Sequence, residues 1–388
     1  MPSLSTFSFP QGTAIVVAGD ELRRHEAWPD AFRSKCKDHR YYEIAAQTLD
    51  NPFQYQYLLL RDSTEAIRAI QPLFFVQQNL AEAVPEPARG VVDFIRKTFP
   101  KFLTLRVLMV GCAAGEGHLG TIDSEDAFWV ADALHHCLPA LAREAKASLV
   151  VLKDFPSQYR ETLSIFSSNG FARVPSMPMT RLALNFSSFD DYLAHLSYAT
   201  RKSLRRKFRK TERAANIRLE IVDDITPDLE EVYPLYLAVH ERSPMKFERL
   251  TKEYLSQLGR LMPDRVRFFI WKLKERIVAF SVCMVHNGTL YDEYLGLDYS
   301  VALDLHLYFY TIRDILTWAI KNRLAFYCSS PLNYDPKLHL GCDLVPLDLY
   351  VRHTSPLLNP IFRRAVRLLG PTRYDPVLPR FPNAAELN

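Results

Sequence analysis

The chain has 388 residues, 48% of them hydrophobic and 24% charged, which excludes a disordered or fibrous protein and fits two domains of ordinary size. The net charge is +4, which excludes a uniformly basic polyanion binder. Residues 201–213 nevertheless hold eight Lys/Arg against one Glu, a local +7, which leaves −3 for the rest.

The elements read as mixed α and β, and their order runs twice. In the first half, residues 13–18 predict a strand, and 53–61 with 67–75 a hairpin around Asp62-Ser63-Thr64. A strand over 106–111 opens into a glycine cluster. Residues 126–146 have an acidic start, helical apolar spacing and basic residues near the end, the pattern of a helix. A strand over 148–152, a helix over 158–169 closed by Gly170, and a strand over 180–186 follow.

The second half repeats this order. A charged helical stretch over 187–216 leads to a strand at 217–222 and helices at 228–241 and 251–262. A hairpin is predicted at 266–273 and 277–286, then a strand at 289–297, a helix at 306–321 and a strand at 324–329. A loop with Tyr334 and Lys337 precedes a last strand at 346–352. The expected domains are 1–186 and 187–354, with a tail over 355–388.

Four of the 13 glycines, Gly111, Gly115, Gly117 and Gly120, fall within ten residues. An apolar strand opening into glycines is also the first motif of a methyltransferase that binds S-adenosylmethionine. The position argues against that reading: the strand follows a hairpin, and a helix stands where a second strand should be. Such a loop otherwise presents backbone N–H groups to an anion, with Glu116 and His118 available for proton transfer or substrate contact. A tight structural connection is the plainer alternative.

Cys36, Cys112, Cys137, Cys283, Cys328 and Cys342 show no metal-ligand spacing, so no metal is expected and a reducing cytoplasm fits. Residues 1–11 do not read as a signal peptide, and no run of 18 apolar residues is present. The basic stretch aligns Lys202, Arg206, Arg209 and Arg213 on one helical face beside Arg205, a pattern for CoA phosphates, tRNA phosphates or anionic lipid headgroups. A solvated helix face is the alternative. In the tail, Leu357, Leu358, Ile361, Phe362, Ala365, Val366 and Leu369 repeat at helical spacing around Arg363, Arg364 and Arg367. That is an amphipathic basic segment suited to an anionic membrane surface, or to docking on its own core.

Three stretches carry a family resemblance. Asp190-Asp191-Tyr192-Leu193 runs through Arg201-Lys202-Ser203-Leu204-Arg205-Arg206; Arg276 to Ser281 pairs with Glu293 to Asp298; and Tyr334-Asp335-Pro336-Lys337 precedes Leu340-Gly341. With the repeated element order, these resemble the Fem-type and cellulose-biosynthesis acetyltransferase-like families. The resemblance implies an α/β fold with a mixed sheet, built as two tandem GNAT-like (acyl-CoA N-acyltransferase) domains.

It further implies an acyltransferase that moves an acyl group from acyl-CoA to an amine of a lipid or envelope substrate, such as a sphingoid base. Bacterial ceramide-forming N-acyltransferases fit that description. An aminoacyl-tRNA-dependent transferase is the second reading, and a non-catalytic envelope-assembly module the third. By the same resemblance Glu293 is the base for the amine, Tyr334 protonates the leaving thiolate, and His306 is a further acid/base group. Alternation places Asp292 on the opposite face from Glu293. Asp298, Ser300, Lys337, Arg205, Arg206 and Arg209 are expected around the donor; His240 and Glu241 around the acceptor. The loop Asp298 to Asp304 lacks the glycines of an ordinary acetyl-CoA cradle. A cytoplasmic protein with a peripheral place on the inner membrane would suit these features.

Overall fold

The computed structural model describes residues 5–49, 53–79, 86–100, 102, 104–368 and 371–388. Two compact units divide the chain: 1–176 with 346–375, and 177–345 with 376–388. The chain therefore passes between units three times, and both the expected second domain and the expected tail contribute to each.

In the first half the strands are β1 (Thr6–Phe9), β2 (Gly12–Val17), β3 (Gln54–Asp62), β4 (Ile67–Asn79), β5 (Thr104–Val110), β6 (Leu149–Pro156) and β7 (Ala172–Ala183). The helices are α1 (Gly19–Leu22), α2 (His39–Thr48), α3 (Glu86–Thr98), α4 (Ala127–Glu144) and α5 (Ser164–Ser168). The second half holds α6 (Phe189–His195), α7 (Tyr198–Ala214), β8 (Ile217–Val222), α8 (Leu229–Arg242), α9 (Lys252–Leu261), β9 (Val266–Leu273), β10 (Arg276–His286) and β11 (Thr289–Leu297). Then come α10 (Leu307–Lys321), β12 (Phe326–Ser329), α11 (Tyr334–His339), β13 (Asp343–His353) and α12 (Asn359–Leu368).

The first unit orders its strands β1-β2-β3-β4-β5-β6-β13. Every pair is antiparallel except β5 with β6, which run parallel from Val107↔Leu149 to Val110↔Leu152. The second unit runs β7-β12-β11-β10-β9-β8, with one parallel pair, β11 with β12, from Thr289↔Phe326 to Asp292↔Ser329. In each unit a helix, α4 or α10, makes the crossover that a parallel pair requires. The repetition of order is thus a repetition of topology.

The last strands are exchanged. β7 closes the first half of the sequence but pairs with β12, from Phe326↔Ala183 to Ser329↔Thr180. β13 closes the second half but pairs with β6, from His353↔Leu149 to Leu347↔Pro156. Each sheet is finished by a strand from the other half.

Apolar faces explain the packing. α4 buries Val130, Leu134, Cys137, Leu138 and Leu141 over Leu58, Leu60, Leu108, Val110, Val150 and Leu152. In the second unit α10 buries Ile312, Ile315, Leu316 and Ala319 over Phe269, Trp271 and Val278. A separate cluster joins Tyr334, Leu344 and Met177 to Leu378, Phe381 and Leu387, so residues 376–388 complete this core.

Some elements differ from expectation for identifiable reasons. The charged helical stretch over 187–216 holds two helices, α6 and α7, because Ser197 accepts from Thr200 N (3.2 Å) and starts a new helix. The segment with Tyr334 and Lys337 is the short helix α11 rather than a loop. The helix expected at 158–169 shrinks to α5, and β7 begins eight residues earlier than expected. Leu369, the last position of the tail pattern, lies outside the described residues.

Candidate active site

The parallel ladder of the second unit ends at Asp292↔Ser329, after which only a single bond from Ser330 N to the Asp292 carbonyl (3.2 Å) continues it. On the other side β10 pairs Val282 with Tyr294 and Cys283 with Asp292, so Glu293 is the extra residue of a β-bulge. The bulge thus falls where the parallel ladder with β12 ends. Burial raises the Cys283 thiol, and the carboxylates of both Asp292 and Glu293 raise it further. Glu293 acts on the Tyr294 hydroxyl as well.

A buried polar group surrounds this end of the ladder. Asp292 accepts from Ser281 Oγ and from Tyr327 Oη (2.8 Å). Burial pushes its carboxyl up, although these bonds and Lys337 offset part of the rise. Lys337, buried on α11, donates to the carbonyls of Ser330 and of Leu332 (2.8 Å). Burial lowers its amine to about 8, against a partial offset from Cys342 and Asp292. Tyr308, in the first turn of α10, belongs to the same group: burial raises it, Asp292 raises it further, and a bond with Asn333 opposes the rise. The expected Lys337 is thus brought to Asp292.

Tyr334 also lies on α11, its ring 5.7 Å from Lys337 Nζ. Its buried hydroxyl donates to the Pro178 carbonyl (2.8 Å), and its ring meets Phe381 edge-on at 6.3 Å.

Of the residues expected around the donor, Arg205, Arg206 and Arg209 lie on α7, which buries Leu204, Phe208 and Thr211 and turns its cations outward. Thr211 Oγ1 donates to the Leu305 carbonyl (2.6 Å), tying α7 to the loop before α10. Lys207 Nζ sits 3.3 Å from the centre of the Phe309 ring. His306, with φ of 47°, precedes α10, and its imidazole is pushed down by burial and then by Lys210, Lys207 and Arg206. The N-terminus of α10 therefore faces a row of cations, as an anion site requires.

Asp298 and Ser300 shape that loop: Asp298 accepts from Ser300 N (2.9 Å) and Oγ (2.6 Å) and pairs with Arg276 at 3.0 Å. An open groove of about 770 Å³ runs past Arg276, Val301, Asp304 and Leu305. Arg205 and Arg209 line another, of about 430 Å³, with Asp190, Glu212 and Arg313.

Of the residues expected around the acceptor, His240 has its Nε2 3.2 Å from the Glu248 carbonyl, and Tyr294 Oη donates to Glu248 Oε1 (2.9 Å). His240 is thereby drawn to the strand that carries Glu293. Glu241 is exposed at the end of α8.

Glu116 and His118 belong to the first unit. Glu116 Oε2 pairs with the buried Lys37 at 2.9 Å, and Glu116 Oε1 lies 3.6 Å from His118 Nε2. His118 Nδ1 is 3.4 Å from Tyr159 Oη. Burial alone would raise the Glu116 carboxyl, but Lys37 overrides it and holds it well below the usual range. The glycines serve close packing. A Cβ on Gly117 would collide with the Lys153 carbonyl and lie 2.8 Å from the Phe155 ring; Gly115, at φ of 128°, lies against the Lys37 amine. Lys153 Nζ donates to the Gly115 carbonyl (3.1 Å). The loop is folded onto its own unit.

Several of these residues carry no sequence signal. Lys37 is 79 positions from Glu116, and Asp292, Tyr327 and Tyr308 converge only once β11, β12 and α10 are placed. Among the described residues no helix is long and apolar enough to cross a membrane.

Residues 54–329 match the FemAB-like family of peptidoglycan biosynthesis and recognition. No curated protein matches the chain in sequence. The FemX crystal structure is similar at 10% identity and a TM-score of 0.51, over 89% of this chain and 97% of that one. The C-terminal domain of a lysylphosphatidylglycerol synthetase from Agrobacterium fabrum is similar at 13% identity and a TM-score of 0.49, over 86% and 94%. A tandem GNAT protein of clavulanic acid biosynthesis follows at 11% and 0.46, over 88% and 98%. With residues 54–329, most of its length, matched by the family, the chain belongs to the FemAB-like family of peptidoglycan biosynthesis and recognition.

Proposed function

We propose that the second unit transfers an acyl group from acyl-CoA to the amine of a lipid or envelope precursor, with Glu293 as the base. The observation that carries this reading is the bulge that sets Glu293 at the point where β11 and β12 part. A bulge re-aims a side chain and ends pairing, which opens room for two substrates to meet.

The donor's phosphates lie at the N-terminus of α10, against Arg206, Lys207 and Lys210, with Arg205 and Arg209 further along α7. Asp298 and Ser300 hold the loop that forms this cradle. The acceptor enters past His240, Glu241 and the Glu248–Tyr294 pair. Its neutral nitrogen attacks the thioester carbonyl carbon, the C–S bond breaks, and the amine proton passes to Glu293. Tyr308, beside Asp292 and Asn333, returns a proton to the thiolate. Tyr334 and Lys337 position α11, and His306 tunes the anion site. Glu116 and His118 serve the first unit as a buried structural network.

A second reading has aminoacyl-tRNA as the donor, favoured by the eight cations of residues 201–213, more than one CoA needs. The purified protein is offered palmitoyl-CoA with a sphingoid base or an amino-phospholipid, and separately a mixed aminoacyl-tRNA pool with the same acceptors and with peptidoglycan precursor. Free thiol release together with an N-acylated product supports the first reading. Transfer from tRNA alone replaces it with the second. Transfer unaffected by Glu293→Gln sinks the site.

A further inference from the structure

Two basic amphipathic helices leave the same end of the first unit's sheet. β4 ends at Asn79 opposite Thr104, where β5 begins, and the chain between those two residues contains α3. β13 ends at His353 opposite Leu149, where β6 begins, and α12 follows it. β5 and β6 are parallel, so both helices spring from the end at which these strands start. From β4 to β13 is three strand spacings, about 14 Å.

Each helix is anchored at its base. Arg96 on α3 donates to the Phe102 carbonyl (2.9 Å), to Asn79 Oδ1 and to Thr104 Oγ1 (3.4 Å). Asn359 at the start of α12 donates to the Gly170 carbonyl (2.9 Å) and accepts from His353 N (3.0 Å), while Phe362 packs on the His353 ring at 5.8 Å.

The outer faces are apolar and cationic together. Among the described residues thirteen large apolar side chains are exposed, and eight lie on these two helices and their flanks. On α3 Phe94 is 72% exposed and Phe99, just beyond it, 65%; on α12 Ile361 is 70% exposed and Leu357, just before it, 87%. Arg89 and Lys97 accompany the first set, with the exposed Asp93 between them, and Arg364 and Arg367 the second, beside the half-buried Arg363, where α12 carries no acid at all. Scattered exposed apolar residues need no explanation, but a concentration flanked by arginines does.

We propose that α3 and α12 form a two-footed docking face for an anionic phospholipid bilayer. Apolar side chains insert at the headgroup boundary while arginine and lysine pair with lipid phosphates. One helix of ten residues binds a bilayer weakly; two held on one rigid sheet end bind together, so the loss of either foot costs most of the affinity. A protein groove is disfavoured by the flanking charge, which suits a surface of many phosphates. This reading does not depend on the transfer chemistry, because binding is measured without substrate.

The test is flotation of the full chain with vesicles of phosphatidylcholine alone and of phosphatidylcholine with 30% phosphatidylglycerol. Point variants are used because truncating the tail would strip Leu378, Phe381 and Leu387 from a core. The wild type is expected on the anionic vesicles and not on the neutral ones, with partitioning that falls as salt rises. Phe94→Ser, Ile361→Ser and the double Arg364→Glu, Arg367→Glu change are each expected to lower partitioning tenfold or more. Their thermal unfolding should match the wild type, since the altered side chains are exposed. Equal partitioning of all variants overturns the proposal. So does an effect confined to one helix, or an apolar variant that abolishes self-association without any vesicle binding.

Discussion

Asp292 and Ser329 form the last rung between β11 and β12, and the residue immediately after that rung, Glu293, is the one that bulges from β10. The coincidence places a carboxylate where the parallel ladder ends. Glu293→Gln should lower the transfer rate by about 10²–10⁴-fold with little change in substrate affinity, since only proton transfer is lost. Steady-state kinetics with the donor identified above gives the answer. A raised KM at unchanged kcat would make Glu293 a binding residue instead.

Lys37 and Glu116 are a buried pair, and removing one partner leaves the other charge buried. Lys37→Met should destabilise the protein by about 3–5 kcal/mol. The pH dependence carries a sign. In the wild type the Glu116 carboxyl sits well below its unfolded value, so its stabilisation is present above that value and is lost as pH falls through the folded one. In Lys37→Met burial dominates and raises the carboxyl, so Glu116 should then cost stability as pH rises. Urea unfolding across the acid range measures both slopes, and identical slopes would refute the pairing.

Lys337 gives the opposite window. Burial holds its amine at about 8, below its usual 10.5. Below pH 8 both states are protonated and the cost of the buried cation is fully present. Between 8 and 10.5 the folded state sheds the proton first, so stability should rise with pH, by up to about 3 kcal/mol in all. Lys337→Met should remove that rise. The comparison of unfolding curves at pH 7.5 and 10 decides it.

Glycine substitutions separate packing from propensity. Gly117→Ala must displace the Lys153 carbonyl or the Phe155 ring, and should cost about 1–3 kcal/mol as overpacking does. Gly90→Ala on α3 meets nothing within 4 Å and should be neutral or stabilise by up to about 1 kcal/mol, the helix preference of alanine. Thermal melts of the two variants should move in different directions.

The hairpins, the parallel strands and the basic helix were legible because periodicity and turn chemistry are local. Strands β9 to β11 fall where alternation and turn residues put them. α3 was not read although it is as amphipathic as α12: Pro85, Pro87 and Gly90 punctuate its stretch of the sequence in the manner of a loop. The bulge at Glu293 was not legible either, because it is a mismatch between two strands rather than a property of one. The same holds for Lys37, whose partner is fixed by a loop folding back from 79 residues away. The Asp292–Lys337 group likewise appears only once β11, β12 and α11 are placed.

The exchanged strands have a consequence for biosynthesis. The first unit's β6 has its outer edge covered only by β13, which ends at His353. A nascent chain therefore carries an open parallel-sheet edge until nine-tenths of the protein has left the ribosome, and such an edge invites pairing with other chains. The two halves cannot be made as separate polypeptides and still close their own sheets. Swapping one half for a relative's would transplant the final strand of the wrong sheet, so recombination between family members should succeed only where the breakpoints carry β7 and β13 along with the units they complete.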